Sequence, residues 1–122
     1  MESSDLFYRQ IHRTHLTFGE VTSAAFIPSS RDNGERSGYD GSLISAMDSY
    51  THYTEFLGLE SEGAWGVSVR ECSQLSLNIL PRPLANSAAH CIIDFRGLPK
   101  SEIRTKAKEL SLRAGARGRQ AP

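Results

Sequence analysis

The apolar residues of this chain change period along its length, and no other feature restricts the fold as strongly. Residues 64–72 alternate, with Trp65, Val67, Val69 and Glu71 on one face and Gly66, Ser68, Arg70 and Cys72 on the other, which predicts a half-buried strand. The run Ala-Ala-His-Cys-Ile-Ile-Asp-Phe at 88–95 predicts a second, fully buried strand. Beyond Pro99, which suits a first helical turn, the period becomes helical. Ile103, Ala107, Leu110 and Ala114 share one side, and Glu102 and Lys106 form an i,i+4 pair on the other.

Two periods in separate blocks, within 122 residues, predict an α+β fold. The length leaves no room for two independent cores. The expectation is a single compact domain over residues 1–115, with a mixed or antiparallel sheet of four to five strands and two main helices. Gly115 is read as the helix stop, and Ala116–Pro122 as a flexible basic tail with nothing to bury.

Further elements follow from local chemistry. Residues 6–12 are rich in aromatic and β-branched types and read as a strand, with Phe7, Arg9 and Ile11 on one face and Leu6, Tyr8, Gln10 and His12 on the other. A second strand is predicted at 21–27, stopped by Pro28, and a long polar surface loop at 29–42. Ser45 reads as the N-cap of a helix over 45–57 that buries Ala46, Tyr50, Tyr53 and Leu57 before Gly58 stops it. Pro81 and Pro83 limit 77–84 to an edge strand or a connection.

Hydrophobic residues at 39% and charged residues at 23% match a globular chain. No apolar run reaches the roughly 20 residues of a membrane span, and the acidic opening Met1-Glu-Ser-Ser-Asp5 lacks the features of a signal peptide. The expected setting is cytoplasmic, away from the membrane, with Cys72 and Cys91 as reduced thiols. The zero net charge hides an asymmetry: residues 1–95 carry −6 and residues 96–122 carry +6. The basic end has the charge to meet an acidic partner or the protein's own acidic body.

Recognisable catalytic motifs are absent. Neither phosphate-binding glycine motif occurs, nor a G-x-S-x-G elbow. His12, His15, Cys72, His90 and Cys91 have metal-ligating side chains, yet no paired ligand motif organises them, and His90 and Cys91 fall on opposite faces of a strand, so no metal and no cofactor is expected. Arg9, His12 and His15 near the first strand, Ser23 on the second, and the loop residues Arg31 to Tyr39 form a diffuse cluster. In outline this resembles the small ADP-ribosyltransferase-like domains that grip a dinucleotide. That resemblance implies a toxin-like NAD- or nucleotide-acting enzyme in which Arg9 and His12 contact the ligand and Glu71 polarises it.

Phe7-Tyr-Arg-Gln-Ile-His12, Val21-Thr-Ser-Ala-Ala-Phe-Ile-Pro28, the Tyr53-Thr54 helix end, Trp65-Gly-Val-Ser-Val-Arg-Glu-Cys72 and His90-Cys-Ile-Ile-Asp-Phe95 together resemble a family of small uncharacterised bacterial proteins. The resemblance implies a bacterial origin and one compact domain, and transfers no catalytic residue. The leading expectation is therefore a binding or accessory module whose partner is another protein. Its contacts are sought among His15, Ser23, Arg31, Asp32 and Tyr39 around the loop, and Lys100, Arg104 and Lys108 on the last helix. Nucleic-acid binding through Lys100, Arg104, Lys106, Lys108 and Arg113 is the third reading.

Overall fold

The computed structural model describes residues 1–122. Five strands form one antiparallel sheet: β1 (Leu6–Gln10), β4 (Glu35–Asp40), β5 (Ala64–Ser68), β6 (Asn78–Pro81) and β7 (His90–Asp94), in the order β5-β1-β4-β7-β6. Two short strands, β2 (Leu16–Thr17) and β3 (Glu20–Val21), make a separate hairpin. The helices are α1 (Ala46–Thr51), α2 (Val69–Gln74) and α3 (Lys100–Arg117). No helix is long and apolar enough to cross a membrane.

Helix α3 lays Ala107, Leu110 and Ala114 onto the sheet face that carries Phe7, Val67, Cys91 and Ile93, and Phe26 and Phe95 complete this core. Each of the larger side chains here, Phe7, Phe26, Val67, Ile93, Phe95 and Leu110, contributes roughly 1.5–3 kcal/mol on removal from water. The opposite face is more polar. There α1 meets the sheet through Gln10, whose amide donates to Ser49 Oγ at 2.9 Å, and through the turn that follows α1.

Several sequence expectations give way to tertiary detail. The strand predicted at 21–27 ends at Val21, and Ser23–Ala25 forms a 3-10 turn. The loop predicted at 29–42 is a turn followed by β4, the middle strand of the sheet. Its polar residues belong inside because Arg36 is 8% exposed and hydrogen-bonded, and because Gly38 lies beneath Phe7. A Cβ at position 38 would sit 2.2 Å from the Phe7 ring and 2.6 Å from the Tyr8 carbonyl oxygen, so glycine alone lets β1 and β4 approach here.

Strand β5 stops at Ser68 and does not run on to Cys72. Ser68 and Glu71 make a capping box: the Ser68 hydroxyl accepts from Glu71 N–H at 3.0 Å, and the Glu71 carboxylate accepts from Ser68 N–H at 2.8 Å, which starts α2. All five β5 residues are buried. Ser45 caps α1 as expected, accepting from Asp48 N–H, and the chain then widens into a π turn over His52–Phe56 before Gly58 at φ 67°. The predicted core stripe is only half-buried, and Leu57 is exposed.

Helix α3 passes through Gly115 and ends at Gly118, whose φ of 88° suits glycine. The segment after it is docked rather than loose. Ala121 is 4% exposed and its carbonyl accepts from Ala64 N–H, while Gln120 N–H donates to Ala64 carbonyl, adding a bridge to the outer edge of β5.

Candidate functional site

The turn between Ser29 and Gly34 is built around one carboxylate. Asp32 Oδ2 accepts from Ser29 N–H at 2.9 Å and from Arg36 Nη1 at 3.2 Å, while Asp32 N–H donates to Ser29 carbonyl. Asn33 and Gly34, at φ 50° and 76°, reverse the chain into β4. Burial pushes the Asp32 carboxyl upward, but Ser29 and the Arg36 and Arg9 charges outweigh it and hold the group below the usual carboxylate range.

Two guanidiniums brace this turn from beneath. Arg36 Nε and Arg9 Nε both donate to the Ala25 carbonyl, at 3.0 and 3.1 Å, and Arg9 Nη1 donates to Ser37 carbonyl at 3.0 Å. Arg9 pairs with two carbonyls and with no carboxylate. Burial lowers the pKa of both groups, and with the repulsion of Arg36 it brings Arg9 down to about 10.

Between the turn and the first turns of α3 runs an open groove of about 360 Å³. Ile27, Pro28 and Ile103 give it an apolar wall, Ser29 and Ser30 a polar lip, and Lys100 and Arg104 a basic rim. Lys100, Arg104 and Lys108 follow at four-residue intervals, so they share one flank of α3, and all three are exposed. None forms an ion pair, and the helix carboxylates Glu102 and Glu109 lie on the far flank. Arg31 is exposed on the turn itself.

Of the predicted residues, Lys100 and Arg104 line the groove, Lys108 follows them on the same flank of α3, Arg31 and Asp32 sit on the turn that borders it, and the others lie elsewhere. His12 Nε2 meets Glu60 at 2.9 Å. His15 keeps a buried Nδ1 with no partner, and Ser23 opens the 3-10 turn that presents the Ala25 carbonyl. Tyr39 is buried against His52, with its hydroxyl 2.8 Å from Nδ1, and burial pushes that phenol up to about 12. Glu71 is occupied by the α2 cap and by Arg117 Nη1 at 2.8 Å. Arg9, His12 and Glu71 therefore hold three different sets of partners.

Cys72 and Cys91 lie in the core, where burial raises both thiols to about 12. His90 is on the opposite sheet face, its Nδ1 2.7 Å from Arg82 carbonyl. Of the five cations read as a nucleic-acid surface, Lys106 donates to Leu75 carbonyl at 2.6 Å and Arg113 pairs with Glu109 at 3.1 Å. Comparison with protein-family models, curated proteins and solved structures finds no match.

Proposed function

We propose that this protein is a small cytoplasmic binding module, of the bacterial accessory kind, that receives an acidic segment of a partner protein in the groove between the 29–34 turn and α3. The observation that carries the reading is the adjacency of an apolar wall and a cationic flank free of internal ion pairs. An apolar residue of the partner packs against Ile27, Pro28 and Ile103. Its neighbouring carboxylates meet Lys100, Arg104, Lys108 and Arg31. The groove offers no aromatic side chain on which a base would stack, and two of the five helix cations already have protein partners, which favours a peptide over a nucleic acid.

The test is a fluorescence-anisotropy titration with a labelled acidic peptide that carries one central leucine. Exposed ion pairs are worth about 0.2–1 kcal/mol each, so K100E/R104E/K108E is expected to weaken binding by about ten-fold or more. Leucine-to-serine replacement in the peptide is expected to weaken it comparably, and added salt to weaken it progressively. Equal affinity for the triple variant, equal affinity for a peptide of inverted charge, or tighter binding of a single-stranded oligonucleotide would each overturn the reading.

A further inference from the structure

The ladder between β1 and β4 holds only two residue pairs, Phe7 with Asp40 and Tyr8 with Tyr39. On their other sides both strands keep longer ladders: β1 pairs with β5 from Leu6 to Gln10, and β4 pairs with β7 from Glu35 to Tyr39. The seam at the centre of the sheet is therefore unzipped from Arg9 onward. A cavity of about 160 Å³ sits over the opening, bordered by Arg9, Ser37, Tyr53 and His90, with Leu57 and Leu84 beside them.

The polar groups around this cavity have unused hydrogen-bonding capacity. Arg9 spends Nε on Ala25 and Nη1 on Ser37, and its Nη2 has no protein partner. The hydroxyls of Tyr53 and Ser37 make no hydrogen bond to protein. His90 places Nδ1 against the Arg82 carbonyl, which can only accept, so Nδ1 carries the proton and Nε2 is left unpaired. Charge is also left over. Arg9 and Arg36 stand side by side on the Ala25 carbonyl, and the one carboxylate among them, Asp32, goes to Arg36. A desolvated guanidinium lacking its own counter-ion favours an anion from outside.

We propose that this seam is a binding site for a small oxyanion, held by Arg9 with the Tyr53 and Ser37 hydroxyls as its polar partners and His90 bordering it. The cavity holds on the order of five waters at their liquid volume, which fits a short carboxylate or a phosphate group and is far too small for a dinucleotide. Arg9 supplies the positive charge and the unpaired Nη2 donor that would meet such an anion. The site is separate from the peptide groove and does not depend on it.

The experiment is an amide-shift titration of the labelled full chain with acetate and, separately, inorganic phosphate, at constant ionic strength in chloride. Saturable shifts are expected at Arg9, Ser37, Gly38, Tyr53 and His90. A response to acetate assigns a free carboxylate ligand, and one to phosphate alone assigns a phosphoryl group; either supports the site. Tyr53→Phe removes a hydroxyl with no protein partner, so it is expected to leave the melting temperature unchanged while weakening the anion at least five-fold. Arg9→Lys is expected to weaken it more than ten-fold. The proposal fails if neither anion gives saturable shifts at these residues, or if Tyr53→Phe binds as the parent does.

Discussion

Replacing Gly38 by alanine tests the account of the sheet centre directly. The new methyl would lie 2.2 and 2.5 Å from two Phe7 ring carbons and 2.6 Å from Tyr8 carbonyl oxygen. Phe7 is 0% exposed within the core, and the carbonyl belongs to backbone that is paired with β5. Overpacking of a tight core costs about 1–3 kcal/mol and more where backbone must move, so about 3 kcal/mol is the starting figure. Alanine returns about 0.5–1 kcal/mol by restricting the unfolded chain, leaving a net loss of about 2–2.5 kcal/mol.

Urea unfolding followed by circular dichroism reads this out. With a slope of about 1.5 kcal/mol/M, the Gly38→Ala midpoint is expected to fall by about 1.3–1.7 M. Gly115→Ala serves as the internal control, since Gly115 lies within α3 and a Cβ there meets open space. It is expected to gain about 1 kcal/mol from helix propensity and to raise the midpoint. If Gly38→Ala unfolds within about 0.3 M of the parent, a shift smaller than 0.5 kcal/mol on the same slope, the close approach of β1 and β4 is wrong.

Two further outcomes follow from the polar core. Asp32 is depressed in the folded state, so its contribution is present above the unfolded value of about 3.9 and is lost as pH falls through the folded one. Asp32→Asn is accordingly expected to be less stable than the parent at pH 7 and to lose less stability on acidification to pH 3, and identical pH dependence in urea melts would contradict this. Cys72 and Cys91, with thiols raised to about 12 by burial, are expected to resist a thiol-specific chromogenic reagent at pH 8 and to react together on unfolding. One fast-reacting thiol in the native protein would refute the core placement.

Where apolar residues carry the burial, sequence periodicity located the element: β7, the inner face of α3 and the start of β1 stand where the pattern places them. It failed at β4 for a physical reason. Glu-Arg-Ser-Gly-Tyr-Asp buries an arginine through hydrogen bonds and a glycine through close packing, and neither reads as apolar. At Ser68 two signals competed, and the capping box overruled the alternation that continues through Cys72. The cationic flank of the groove was present as a four-residue spacing in Lys100, Arg104 and Lys108. Its apolar wall was not, because Ile27 and Pro28 meet Ile103 only across the tertiary structure. Arg36, the strut of the turn, carried no sequence signal beyond its four-residue distance from Asp32.

Both margins of the five-stranded sheet are partly blocked against strand addition. On one side Ala121 and Gln120 occupy the backbone groups of Ala64. On the other, β6 ends at Pro81, with Pro83 just beyond it, and neither has an N–H to offer. Main-chain pairing, the generic and sequence-tolerant way for sheet proteins to associate, is thereby hindered at both edges. Side chains are the better displayed surface, and their selectivity can be altered one residue at a time without disturbing the scaffold that carries them.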